Sequence, residues 1–154
     1  MSIPLIRRTA EELARQQDLH QRLAAAYYAL ELIENAVQEL AFLDAPDPPP
    51  RWAAVQRHVA HARAALAAVP SLRWPITSPP PTVALAIDDP ATVTGELLTL
   101  AEVLTMALLE SARQASEPHD AFATLRATLR VHGLCLELHR SRATSSALPG
   151  DNHG

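Results

Sequence analysis

The chain of 154 residues has no lysine, a single cysteine and four glycines, with two residues each of Trp, Tyr and Phe. One cysteine excludes an internal disulfide, which is typical of a protein in a reducing compartment. Scarce glycine beside abundant Leu and Ala favours helix over sheet. All 13 basic residues are Arg, a bias that indicates a GC-rich coding genome, and we expect a bacterial protein.

Long hydrophobic segments are missing as well. Met1–Arg8 carries charges and no apolar stretch follows it, so we expect no secretory signal. The charge-free run Val103–Leu109 is far shorter than the roughly 20 apolar residues that span a membrane. We therefore expect a cytoplasmic protein with no membrane contact.

Prolines divide the chain into four helix-length blocks whose net charges alternate in sign. Counting Arg against Asp and Glu gives −4 for residues 1–47, +4 for 48–87, −6 for 88–120 and +2 for 121–154. Antiparallel helices use such alternation to place each helix beside complementary neighbours. The sequence predicts an all-α, up-down antiparallel four-helix bundle, with one domain over residues 1–142 and a disordered tail over 143–154.

Caps and prolines predict where the helices begin and end. The first is expected from a capping box at Thr9 to Asp44, the second over 49–68, the third over 90–115 behind an Asp89 cap, and the fourth over 118–142. Apolar spacings of three and four residues predict the core faces of the first two helices. These faces are Leu19, Leu23, Ala26, Leu30, Ile33, Val37 and Leu40, and Trp52, Val55, Val59, Ala62, Leu66 and Val69.

The connection between the second and third helices is expected to be extended, because residues 70–90 hold six prolines. Its apolar residues alternate like those of a strand, and one isolated strand is not stable alone. The third helix is apolar over most of its circumference and needs more cover than two neighbours provide. We therefore predict an interface, with a second copy of the chain as the favoured partner, that comprises Trp74, Val83, Leu85 and Ile87 of the arm and Val103 and Met106 of the helix.

The fourth helix carries candidate metal ligands. Its predicted core stripe is Ala121, Leu125, Leu129 and Leu136. At the edge of that stripe lie His132, Cys135 and His139, spaced three and four apart as ligands of one zinc ion, and His58 and His61 of the second helix complete the site if the two helices touch. The simpler interpretation makes the histidines boundary residues and Cys135 a small core residue.

Evidence for an enzyme is absent from the sequence. It has no glycine-rich phosphate loop, nucleophile turn or zinc knuckle, so we assign no catalytic residue and no cofactor beyond that possible zinc. The Arg-to-His spacing of HEPN nucleases occurs at Arg126–His132, Arg15–His20 and Arg51–His58. Random placement supplies about 1.8 such matches, so a HEPN-like ribonuclease is a remote alternative.

The distribution of charge also indicates which class of partner to expect. The Arg-bearing second and fourth blocks are diagonal in an up-down bundle, so their fields partly cancel, and the net charge is −4. We therefore expect no nucleic-acid partner. The favoured function is a non-enzymatic, homodimeric bundle that acts through protein–protein contacts as a regulatory, adaptor or structural component; the alternative is a metal- or small-ligand-binding bundle.

Overall fold

The computed structural model describes residues 2–43, 50–72, 87 and 89–147, and every regular element in these ranges is helical. The five helices are α1 (Ser2–Arg15), α2 (Leu19–Leu43), α3 (Pro50–Ala67), α4 (Pro90–Gln114) and α5 (Pro118–Ala147). The all-helical class is confirmed. The predicted count of four was wrong, because the first predicted helix is two helices. The last one ends at Ala147 rather than near Arg142.

A polar turn over residues 16–18 separates α1 from α2. Asp18 caps α2, since its carboxylate accepts a hydrogen bond from the backbone N–H of Gln21 at 3.0 Å. The capping box predicted at Thr9 was wrong. Thr9 lies inside α1, where its hydroxyl donates to the carbonyl of Leu5 at 2.8 Å, because α1 already begins at Ser2.

Arg22 fastens this turn to the end of α4. The side chain is buried, and its guanidinium donates to the carbonyls of Gln16 and Gln17 and to Gln114 Oε1 at 2.6 Å. The two carbonyls lie just past the last residue of α1, where the helix dipole favours a positive charge. Neutral acceptors and this dipole therefore satisfy a charge that would otherwise be costly to bury.

We predict that Arg22→Met lowers the free energy of unfolding by about 1–3 kcal/mol, because the partly buried carbonyls of the turn and Gln114 lose their charged donor. Urea unfolding measures this loss. Arg8→Met, at an exposed position of α1, is the control and should change stability by less than about 0.5 kcal/mol. Equal losses in the two variants would contradict the role given to Arg22.

The four long helices form a ring in the order α2, α3, α5, α4, with α1 packed against α4 and α2. Within the described ranges, α2 does not contact α5 and α3 does not contact α4. The two Arg-rich helices, α3 and α5, are therefore neighbours, and the prediction that they lie diagonally was wrong. The chain reaches this order because residues 68–89 connect helices on opposite corners of the ring.

The cores of α2 and α3 follow the predicted faces, since all thirteen of those residues except Leu19 are buried and Leu19 packs partly buried against them. The Asp89 cap is confirmed, with its carboxylate accepting from the backbone N–H of Thr92, and Pro90 opens α4. Arg63 of α3 joins α2 by ion pairs with Glu34 at 2.6 Å and Glu31 at 3.4 Å. The buried faces and these ion pairs hold α2 and α3 together.

One described helix, α4, is long and apolar enough by composition to cross a membrane. Half of its most apolar window is buried inside the bundle. The central helix of a folded core has the same composition, so the finding is compatible with a soluble protein.

Helices α3 and α5 approach closely at Gly133. A Cβ atom placed on this glycine would lie 2.5 Å from Cε1 of His58. At the other end of the pair, buried Asp120 accepts hydrogen bonds from the backbone N–H of Ser71, at 3.1 Å, and from the Ser71 hydroxyl. These two contacts fix the separation and the register of α3 and α5.

We predict that Gly133→Ala destabilises the protein by about 1–3 kcal/mol, because the new methyl group overlaps the His58 ring. Gly95→Ala is the matched control, since nothing lies within 4 Å of a Cβ there, and it should stabilise by up to about 1 kcal/mol through helix propensity. Thermal and urea unfolding measure both. A stabilised Gly133→Ala variant would refute the close contact.

Candidate interaction surface

The orientation of α5 differs from the prediction. Its buried face contains Ala123, Thr124, Ala127, Val131, Leu134, Cys135 and Leu138. The predicted core residues Leu125, Leu129 and Leu136 are exposed, and Ala121 is only partly buried. The prediction of that core stripe was therefore wrong, because α5 turns a different stripe toward α3 and α4.

The outward face of α5 is a continuous apolar stripe formed by Phe122, Leu125, Leu129 and Leu136. Phe122 is 65% exposed and Leu129 is 71% exposed. Their spacings of three, four and seven residues place all four side chains on one side of the helix. Large apolar residues that recur on a solvent-facing stripe indicate a contact surface.

The outer side of α4 extends this surface. Met106 is 67% exposed, and Leu109 is also exposed. Two contacts set the register of the antiparallel pair, from Glu102 Oε1 to His139 Nε2 at 3.5 Å and from Thr105 Oγ1 to Cys135 Sγ at 3.6 Å. This register puts Met106 and Leu109 beside the stretch of α5 between Leu129 and Leu136. We call these six side chains of α4 and α5 the outer apolar face.

Val103 of α4 is partly buried against the core. It lines an open groove of about 570 Å³ between α1 and α4, and the exposed side chains of Met106 and Leu109 line the same groove. Leu13 and Ala14 of α1 form the opposite wall. Helix α1 therefore covers part of the apolar surface of α4, which we expected the arm or a second copy to cover.

The candidate metal ligands of α5 lie in different environments. His132 and His139 are exposed, whereas Cys135 is buried beside Thr105. Burial raises the pKa of the Cys135 thiol, which disfavours the thiolate that binds zinc. Among the described side chains, no three His, Cys, Asp or Glu residues are grouped to hold a metal ion. The zinc site stays a prediction.

His58 does lie against α5, as the metal hypothesis required, but its neighbour there is Gly133. Its Nδ1 is buried and has no hydrogen-bond partner among the described residues. Burial lowers the pKa of His58, and the positive charges of Arg130 and Arg57 act in the same direction. His61 lowers it too, whereas Glu137 raises it. The neutral ring is therefore the form that the folded protein favours.

His61 itself is exposed on α3. Of the other spacings weighed for a nuclease, Arg15 pairs with Glu12 at 3.1 Å, and the Arg51 guanidinium lies 5.1 Å from the centre of the Trp52 ring. The structure thus gives these two arginines partners other than His20 and His58.

We predict a pH dependence of stability that originates at His58. The pKa of His58 in the folded protein lies below its unfolded value near 6.5. The stability that the protein gains from keeping this ring neutral is therefore fully present above about pH 6.5, and it is lost as the pH falls through the folded-state pKa. Urea unfolding near pH 7.5 and near pH 5.5 should show a larger loss for the wild type than for His58→Gln. Identical losses of stability in the wild type and in His58→Gln would contradict the prediction, because they would mean that His58 has the same pKa in the folded and unfolded states.

The arm residues Trp74, Val83 and Leu85 lie outside the described residues. Ile87 is described, and it packs partly buried against the core of the same chain. The arm interface remains a prediction for the first three residues, while Ile87 already has contacts within the chain.

Adjacency of α3 and α5 gathers positive charge along one edge of the bundle. Arg57 of α3 and Arg126 and Arg130 of α5 are exposed, and the described part of the chain offers none of them an ion pair or hydrogen bond. The expectation of no nucleic-acid partner rested in part on separating these helices and stays a prediction.

Comparison with known proteins gives no relative: no family model, curated protein or solved structure matches this chain.

Proposed function

We propose that this protein is a non-enzymatic helical bundle that acts through protein–protein contacts, as a regulatory, adaptor or structural component, and that it forms a homodimer through the outer apolar face. The observation that carries the proposal is the exposure of Phe122, Leu125, Leu129 and Leu136 along one side of α5. Sequence periodicity alone had assigned three of these residues to the core.

The size of the face supports a macromolecular partner. Applying the exposed fractions of its six side chains to typical side-chain areas gives on the order of 600 Å² of apolar surface, against about 800 Å² per partner in a standard interface. That area is at the upper limit of the largest apolar patch on a typical monomer. Flanking side chains supply the remainder.

The chemistry of the face supports a second copy as the partner. The stripe on α5 contains no charged residue between Phe122 and Leu136 on its outward side, where His132 is the polar member. An uncharged surface meets its own copy without like-charge repulsion, whereas a strongly charged surface does not. Homodimers use just such apolar patches, which resemble the core of a domain cut in half.

We predict that Leu129→Asp converts the dimer to a monomer, because a carboxylate at the centre of the face would be buried without a partner. The affinity should fall at least about 100-fold. Native mass spectrometry of protein purified without a His-tag or chelator reports the subunit count and any bound metal together.

Phe42→Asp is the matched control, since Phe42 is an equally exposed apolar residue on α2. It should leave the dimer intact. A dimer that survives Leu129→Asp, or one that Phe42→Asp dissociates, would contradict the assignment. A bound metal in the wild-type protein would instead favour the metal-binding alternative.

A further inference from the structure

The outer side of α4 has a charge pattern opposite to that of α5. On α4, Met106 and Leu109 lie between the carboxylates of Glu102 and Glu110. On α5, the apolar stripe is flanked on its α3 side by Arg126 and Arg130, which the described residues leave unpaired. Arg113, which pairs with Glu110 at 3.3 Å, offsets one of the two carboxylates on α4. The outer side of α4 is therefore apolar with a net negative charge, and its neighbour α5 is apolar and basic on the same face of one chain.

We propose that α4 of each copy packs antiparallel against α5 of the other, about a two-fold axis that runs along the helices. This inference rests on the proposed function and specifies the geometry of the dimer. The two-fold rotation about such an axis exchanges the two sides of the outer apolar face, one of which is α4 and the other α5. The α4 of the second copy therefore covers α5 of the first. The same rotation places the second α5 over the first α4.

The register within one chain determines what meets across this interface. The contacts Glu102–His139 and Thr105–Cys135 imply that Glu110 lies level with Arg130 along the bundle. A rotation about an axis parallel to the helices does not change the position of a residue along that axis. Glu110 of the second copy therefore lies level with Arg130, within one helical turn of Arg126, on the side of α5 where both arginines project.

The apolar side chains also match in this arrangement. Met106 and Leu109 of the second copy arrive between Leu129 and Leu136 of the first, two side chains that are exposed. The pairing occurs twice in the dimer, because the two-fold axis repeats every contact. The Glu110–Arg113 pair within one chain is exposed, at 3.3 Å, and exposed pairs of this kind cost little to rearrange.

Charge disfavours the other two-fold arrangement. An axis perpendicular to the helices would pack α5 on α5 and bring the α3 sides of both copies together. Arg126 and Arg130 would then lie beside the same arginines of the second copy, with like charges facing each other. The axis along the helices opposes these arginines to Glu110 instead.

Charge reversal tests this geometry. Glu110→Arg alone, and Arg126→Glu with Arg130→Glu, should each weaken the dimer about tenfold at low salt, because both symmetric contacts become repulsive. Combining all three substitutions in one chain should restore the affinity to within about threefold of the wild type. Sedimentation equilibrium measures the dissociation constants.

Glu39→Arg is the control for an equal change in net charge. Glu39 is exposed on α2, which occupies the corner of the ring opposite α5, and its reversal should leave the affinity unchanged. A dimeric wild type whose triple variant is no tighter than the separate variants would overturn the α4-on-α5 geometry alone. A wild type that is monomeric at every concentration would overturn the proposed function together with it.

Discussion

The absence of a side chain at Gly133 allows α3 and α5 to approach closely, and much of the structure depends on that approach. The His58 ring occupies the space where a Cβ would stand, and the bonds from Ser71 to Asp120 fasten the other end of the pair. These two contacts, one near the middle of α5 and one near its start, set its register against α3. In this position α5 buries Ala127, Val131, Leu134 and Leu138 in the core, while Phe122, Leu125, Leu129 and Leu136 are exposed.

The proposed function is a consequence of this orientation. Small buried residues such as Ala123 and Ala127 allow the neighbours of α5 to come close, while Phe122 and Leu129 on its other side are exposed. Burial of those side chains is favourable wherever a partner supplies a complementary surface. The acidic outer side of α4 supplies one within the same protein, and the Arg residues beside the α5 stripe give that contact a preferred direction.

The sequence predicted α2 and α3 well because each has a single apolar face bounded by polar residues. Leu30 and Val59, for example, are fully buried as expected. It failed for α5 because that helix has two apolar stripes, and periodicity cannot tell which one faces the core. Helical spacing predicted the stripe of Leu125, Leu129 and Leu136, whereas the structure buries the stripe that contains Val131, Leu134 and Leu138. The ring order was missed for a related reason, since alternating block charges are compatible with more than one arrangement of four helices.

The division of the first predicted helix shows a different limitation. Apolar spacing detected α2 from Leu19 onward, but the polar Gln16–Asp18 turn and the return of Arg22 to its carbonyls depend on a contact with Gln114 at the far end of α4. Local sequence carries no signal for a contact over such a separation.

The most direct test of whether a second copy covers the outer apolar face is covalent footprinting of the wild-type protein at concentrations that span dimer formation. We expect labelling of Phe122, Leu129 and Met106 to fall as the protein concentration rises, because the dimer buries them, while labelling of exposed Phe42 stays constant. Labelling of the outer apolar face that does not change with concentration would contradict the central claim that a second copy covers it.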